Sequence, residues 1–496
     1  MGYGPEVSML RWMTGVVVTA AVVGTVLVSG QSRDDADMVA RIRAEGLQRS
    51  SALSLYRTLT DDIGGRLTGS PAHLRSARWA SERFSEWGLA NPHLEPFDFG
   101  RGWELEHVSV AMTEPRYVPL TAYPDAWSPS TAGPISGRVV YVGDTTAAQI
   151  LAMSAQLRGA IVLVSRPVTE FVLADRPQPG LTDAPVATGN PALPQARSTT
   201  PNGELMKLLK EAGAAVIVRA SAYRDGTVGV IGNRATPTDA VPSLMVAGEQ
   251  STVMARLAAQ GRPVSRRVEL RTRSLEQDRN SYNVIAEIPG RDPALRDQVV
   301  IIGGHLDSWH TASGATDNAD GAVAAMEAAR ILRAVGAAPR RTIRVALWSG
   351  EEQGLLGARA HVARHFATAE ARQRLAVLLN DDPGGGRTLG FYMQGNAAAK
   401  TLFDRWLAPL TDLGATRNII EGIGSTDHVP FDELGMPAFT AIKDFSGYDE
   451  RTRHTNTDYP DRTTERDLQQ SAIVFATIAW QAAMSDAPLP RSKTGG

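Results

Sequence analysis

The chain has no cysteine. That excludes disulfides and thiolate metal centres, and leaves imidazole and carboxylate as its strong metal ligands, with the redox compartment undecided. An excess of charge of one sign is missing too. Its 51 Lys and Arg nearly cancel 53 Asp and Glu, so no net field draws it toward nucleic acid or an acidic membrane surface. No internal repeat is present. Long apolar runs are confined to the start, where residues 12–32 carry no charge and follow Arg11. That stretch is an export signal: a cleaved signal peptide, with Val28-Ser-Gly30 as its small-residue site, is favoured over a retained membrane anchor. The remainder is expected to be a soluble body that is exported, periplasmic or secreted. With 496 residues, 43% of them hydrophobic, the chain can build roughly two to four domains with sizeable cores.

Residues 299–352 organise the rest. A β-branched run at 299–302 reads as a buried parallel strand, closed by Gly303 and Gly304, and His305 follows at its carboxyl end. Asp317 or Asp320 can cap the next segment, whose Ala324, Ala328, Ile331 and Val335 form one apolar helical stripe before Gly336. Residues 342–348 are the next strand, and Glu351-Glu352 lie just beyond it. A strand, crossover helix and strand imply an open α/β sheet, which binds ligands beyond the carboxyl ends of its strands. The polar residues all fall on that edge.

A dication such as zinc takes imidazole nitrogen and carboxylate oxygen, and two metals about 3.5 to 4 Å apart need a carboxylate that bridges them. A lone histidine at a strand end is ordinarily structural, and a Glu-Glu pair is ordinarily solvated surface. The order His305, Asp317, Glu351-Glu352 is more than either, and it resembles the co-catalytic di-zinc peptidases of the M28 group. Two later blocks extend the likeness: Asn380-Asp381-Asp382-Pro-Gly-Gly385 after an apolar strand, and His454-Thr-Asn-Thr-Asp458 near the end. Gly424-Ser-Thr-Asp427-His428 and Gly435-Met-Pro437 match a further family block. The resemblance covers most of residues 283–461.

That resemblance implies two Zn²⁺ ions, one held by His305, Asp317 and Asp382, the other by Asp317, Glu352 and His454. Glu351 is then free as the catalytic base, and Asp307 is expected to orient His305. Three carboxylates and one hydroxide balance the four positive charges, with both histidines neutral. A cis peptide is expected after Asp317. Asp320 and Asp381 are the neighbours that could replace a ligand, and His428 is expected to be structural. His73, His93, His107, His310, His361 and His365 have no such context and read as ordinary. Relatives often carry a tyrosine before the last histidine where this chain has Arg453, which leaves Tyr448 as the candidate oxyanion donor.

The fold implied is α/β: a zinc-exopeptidase fold with a central mixed, mostly parallel sheet flanked by helices, plus an inserted smaller β-rich α/β protease-associated domain. Short strands expected at 137–142, 159–164, 214–218 and 241–246 carry the insertion, and six prolines between Pro177 and Pro201 make a long loop able to cover the cleft. The organisation read from the chain is a signal or anchor at 1–35, the first part of the peptidase domain at 36–125, the insertion at 126–275, the catalytic part at 276–487, and a flexible tail at 488–496. Helices are expected at 52–59, 77–87 and 464–484, with a turn-forming loop at 60–71. The function implied is zinc-dependent hydrolysis at a free peptide end, first as an aminopeptidase. The alternatives are a dipeptidase or carboxypeptidase of the plasma glutamate carboxypeptidase type and, from another class, a non-catalytic receptor-like module. Partners would be a peptide or dipeptide substrate and no nucleic acid. Related glutaminyl cyclases use one zinc, whereas this chain keeps both His305 and Asp382.

Overall fold

The computed structural model describes Met1, residues 33–181 and residues 203–491. The expected export signal and most of the proline-rich loop lie outside the described residues. No described helix is long and apolar enough to cross a membrane.

Two sheets organise the chain. The first runs, edge to edge, through Ala90–Asp98, Asn280–Ile288, Thr342–Trp348, Val299–His305, Leu375–Asn380, Ala438–Asp444 and Gly385–Tyr392. Its four central strands from Thr342–Trp348 to Ala438–Asp444 are parallel, with antiparallel strands outside them. Every residue of Val299–His305 and Leu375–Asn380 is buried, as a strand covered by helices on both faces requires. On one face lie Asp320–Ala334 and Glu465–Met484, whose Val323, Met326, Ile473 and Phe475 share a core with Val300, Ile302 and Leu379. The other face is closed by Trp348, Val362, Phe366 and Phe431. Burying one such aromatic side chain contributes about 1.5 to 3 kcal/mol.

The last helix begins as its sequence dictates, with Thr464 and Asp467 forming a reciprocal capping box. The helix after Asp317 does not. Neither Asp317 nor Asp320 caps it; the Asn318 side-chain oxygen accepts from the Gly321 backbone N–H at 3.1 Å. Asp320 is instead drawn toward the buried Lys443 ammonium, 3.7 Å away.

The second sheet runs through Val118–Pro119, Gly102–Glu114, Ser265–Leu275, Ile135–Tyr141, Ile161–Leu163, Val216–Ala220, Ser243–Val246 and Ala122–Pro124. All four strands expected from residues 137–246 are present. The boundary expected at 125/126 falls inside this sheet, because Gly102–Glu114 pairs with Ser265–Leu275 along its length. The long strand alternates buried and open positions too weakly to be separated from the first domain by pattern alone. At the other end, the expected loose tail from 488 is docked as far as described: Leu489 is buried, Asn396 donates to the Pro490 carbonyl at 2.7 Å, and Arg491 to that of Leu375 at 3.0 Å.

The turn-rich stretch at 60–71 positions the site. Arg66 is fully buried and spends its guanidinium on backbone carbonyls, donating to Leu306 at 2.8 Å, Ser313 at 2.6 Å and Gly314 at 2.8 Å. It pins both ends of the loop between His305 and Asp317. Arg66→Met should therefore strand several buried carbonyls, at about 1 to 3 kcal/mol for each unsatisfied group. The expected result is a lower unfolding midpoint with new proteolytic cleavage between residues 306 and 314, which Arg66→Lys does not prevent because a single ammonium cannot reproduce the fork.

Candidate metal centre

His305 ends one central strand, Asp382 follows the neighbouring strand, Glu351 and Glu352 follow the strand on its other side, and Asp317 stands in the loop ahead of the crossover helix. Adjacent strand ends lie about 5 Å apart, so residues distant in sequence converge on one edge. His305 Nε2 is 3.3 Å from Asp317 Oδ1 and 3.5 Å from Asp382 Oδ1. His454 Nε2 is 3.3 Å from Asp317 Oδ2 and 2.9 Å from Glu352 Oε2. Two groups of three ligand types result, His305, Asp317, Asp382 and Asp317, Glu352, His454, each with its atoms within 4.8 Å of one another. Asp317 belongs to both, one oxygen facing each. The peptide from Asp317 to Asn318 is cis.

These separations suit a dication: with bonds of about 2.0 Å, tetrahedral ligands lie roughly 3.3 Å apart. The polar accounting points the same way. His305 Nε2, Asp317 Oδ2 and Glu352 Oε1 are buried without a hydrogen-bond partner among the described residues. Buried polar atoms are otherwise almost always paired, so atoms orphaned in both groups of a buried cluster fit cations.

The surroundings hold the ligands in place. His305 Nδ1 donates to the Asp307 backbone carbonyl at 2.9 Å, which leaves Nε2 as the ligating nitrogen. The Asp307 carboxylate stands 3.6 Å from Nδ1, as expected of a group beside His305. It also accepts from the Thr68 hydroxyl at 2.8 Å and lies 3.4 Å from the backbone N–H groups of Glu351 and Glu352, so it faces the Glu-Glu turn as well. Three further groups escaped sequence reasoning. Asp458 accepts from the Thr316 backbone and hydroxyl, both at 2.8 Å, and from the Asp317 N–H at 3.2 Å. Trp309 Nε1 donates to Glu352 Oε2 at 2.8 Å. Asp427 is fully buried with neither carboxylate oxygen hydrogen-bonded among the described residues. The Thr-x-x-Asp run after His454 was a signal for the first and the Gly424-Ser-Thr-Asp427 block for the last, though neither gave the role; a lone tryptophan gives none.

The rejected ligands are accounted for. Asp381 lies 3.3 Å from Lys443 Nζ, which also faces Asp320, so both serve a buried charge cluster. His428 Nε2 meets the Ile423 carbonyl at 2.9 Å, and burial lowers its pKa to about 4. A third group, Glu95, His361 and His365, also resembles a metal site. Its hydrogen bonds argue otherwise: His361 Nδ1 and His365 Nε2 meet the two oxygens of Glu95 at 2.8 and 2.6 Å. Arg344 stands 3.4 Å from His361 Nε2. A metal on Nδ1 would put a proton on Nε2, facing a guanidinium that can only donate.

Burial opposes an imidazolium at His305, but the carboxylates of Asp382, Glu351, Asp307 and Asp317 outweigh it and hold its pKa well above the usual range. Burial pushes Glu351 well above the carboxylate range, with Asp382 and Asp427 adding to it and His305 opposing. Burial also raises Glu352, reinforced by Asp317 and Glu351. Despite burial, the two histidines hold Asp317 below its usual value. Burial carries Asp458 up to about 7.

Residues 283–479 match peptidase family M28. Carboxypeptidase Q of Mus musculus is 26% identical over 465 residues, spanning 92% of this chain and 91% of that protein. A Peptidase M28 precursor from Shewanella amazonensis superposes with a TM-score of 0.70 at 23% identity, covering 93% of this chain and 99% of that chain. BSAP, a zinc aminopeptidase from Bacillus subtilis, gives 0.59 at 20% identity, covering 88% and 95%. At these identities the structural likeness shows a shared fold.

In chelator the uncompensated cluster should make stability fall as pH rises. His305, with a raised folded pKa, stabilises below 6.5, and that contribution is lost as pH climbs through the folded value. Glu351 and Glu352, held protonated in the fold, lose theirs as pH rises past 4.5. Asp317 acts oppositely, but only below 3.8. Thermal unfolding in chelator should thus show a lower midpoint at about pH 8 than at about pH 5.5, and zinc should restore most at the higher pH, by about 4 kcal/mol at a thousandfold excess over Kd.

Proposed function

We propose that this chain is a member of peptidase family M28, on the match of residues 283–479 and the whole-length likeness to Carboxypeptidase Q, and that it is a zinc-dependent exopeptidase that hydrolyses the terminal bond of a peptide or dipeptide at a two-metal site. The observation that carries the reading is the division of Asp317, whose two oxygens lie 3.3 Å from His305 Nε2 and 3.3 Å from His454 Nε2. In this reading His305, Asp317 and Asp382 hold one ion, and Asp317, Glu352 and His454 the other. Zinc bound there supplies a Lewis acid for the scissile carbonyl and lowers the pKa of water.

The protein's residues do the rest. Glu351 carries a carboxylate that takes no hydrogen bond from the described residues, and it stands in the fields of His305 and Asp382. It accepts the proton of the attacking water and returns it to the leaving amine. Trp309 fixes Glu352 so that the two adjacent glutamates keep separate tasks. Tyr448 is buried, and burial together with Asp317 and Asp382 raises its phenol well above the usual range. It stays protonated as the donor to the tetrahedral intermediate.

An aminopeptidase is the first reading of which end is held, since the carboxylate surplus around Glu351 and Asp427 suits a substrate ammonium. The carboxypeptidase or dipeptidase reading is favoured by the whole-length likeness to Carboxypeptidase Q and by Arg453, a cation beside His454 in the fields of Asp317 and Glu352. We assign the second-sheet unit to an inserted protease-associated module and residues 1–35 to export. Unblocked, N-acetylated and C-amidated dipeptides separate the two ends. An aminopeptidase should lose turnover on acetylation and keep it on amidation, and the reverse pattern would establish the carboxypeptidase.

Glu351→Gln should leave metal content and fold intact while kcat falls by about 10²-fold or more with little change in KM. Glu352→Gln should weaken zinc retention as well. Loss of zinc in the first variant and retention in the second would reverse the two assignments.

A further inference from the structure

The second-sheet unit holds the segment that carries His454, and it does so by two separate grips. His454 has φ +57°, a left-handed conformation that a side-chain-bearing residue rarely adopts. Its backbone is met by the buried Val228 and Val230 of the second unit. Val230 N–H donates to the His454 carbonyl at 3.0 Å and Asn456 N–H to the Val228 carbonyl at 3.1 Å, with Gly229 and Thr455 forming an antiparallel bridge. The Asn456 side-chain oxygen completes the pairing by accepting from Val228 N–H at 2.7 Å. The second grip lies upstream. Arg176 forks onto both oxygens of the buried Asp449 at 2.6 Å, and Asp175 accepts from Gly447 N–H at 2.5 Å and Glu450 N–H at 3.0 Å.

These contacts are unevenly distributed over the metal centre. His305, Asp317, Glu352 and Asp382 stand on the first sheet and its loops, and the second unit meets that region at the loop tip, through His310 and the Pro124 carbonyl at 3.0 Å and the Trp127–Trp309 ring contact, whereas His454 lies in the segment it pairs with directly. We propose that the second-sheet unit is a positioning element for one metal: it fixes His454, so the Asp317, Glu352, His454 position binds its ion only with the clamp closed, while the His305, Asp317, Asp382 position binds independently. Asn456 and Arg176 are the positioning residues. This rests on the two-zinc reading above.

The test is zinc stoichiometry and affinity of the full chain in zinc buffers, read alongside the unfolding midpoint, for wild type, Asn456→Ala and Arg176→Lys. Wild type should hold two zinc ions. Asn456→Ala should hold one tightly and bind the second about 10- to 100-fold more weakly, as is usual when a group supporting a ligand is removed. Activity should then return at raised zinc with KM unchanged. Arg176→Lys keeps the charge, loses the fork and should act in the same direction. Two ions retained at wild-type affinity in both variants, or both sites weakened equally together with a lowered unfolding midpoint, would overturn the clamp. Fewer than two ions in wild type would instead overturn the two-zinc reading.

Discussion

Asp317 turns its two carboxylate oxygens toward different histidines, and most of the catalytic edge can be understood as the means of keeping it there. Asp458 holds the backbone N–H groups of Thr316 and of Asp317 itself, Arg66 fastens the loop that leads to it, and the next residue, Asn318, donates its side-chain amide to the Asp381 carbonyl. The strand ends then bring a histidine and a carboxylate to each side. A cluster this acidic and this buried is not self-consistent in protein alone. Against burial, neighbouring carboxylates raise the pKa of His305; burial and neighbouring carboxylates raise those of the two glutamates, and three of the cluster's atoms have no hydrogen-bond partner among the described residues. Cations resolve both conflicts at once, which is the physical basis for reading the edge as a metal centre.

The same edge explains why the chain is built in two units. A first-sheet strand can present a side chain only at its own end. His454 follows the last parallel strand in a turn that Thr455 N–H closes onto the Thr452 carbonyl at 3.1 Å, with His454 at its left-handed position. Backbone pairing with residues 228–230 adds a second constraint from outside the segment. The second-sheet unit thus pairs with the segment that carries His454, while none of the candidate ligands lies on that unit itself.

Much of this was legible in the sequence, for a specific reason. Ligands at strand ends leave a local mark: β-branched residues, then glycine, then His305, or an apolar strand and then Asp382. Period and turn chemistry placed the strand ends, the resemblance to the M28 group chose the candidate ligands among the residues there, and the capping box of the final helix was equally local. What escaped depends on distance in space. The Asp307 carboxylate faces the Glu351 turn as well as His305 because the chain folds back over it, and His305 gains the Asp307 backbone carbonyl as a further partner, which sequence pattern does not show. The Gly102–Glu114 strand belongs to the second sheet through pairing with residues some 160 positions later, and its own residues do not announce that partner.

The central claim is that Asp317 is shared between two metal positions, and anomalous diffraction at the zinc edge from crystals grown with zinc tests it most directly. The account predicts two peaks about 3.5 to 4 Å apart, one beside His305 and Asp382, the other beside Glu352 and His454, with the Asp317 carboxylate between them. A single peak, or a pair in which Asp317 touches only one ion, would contradict it.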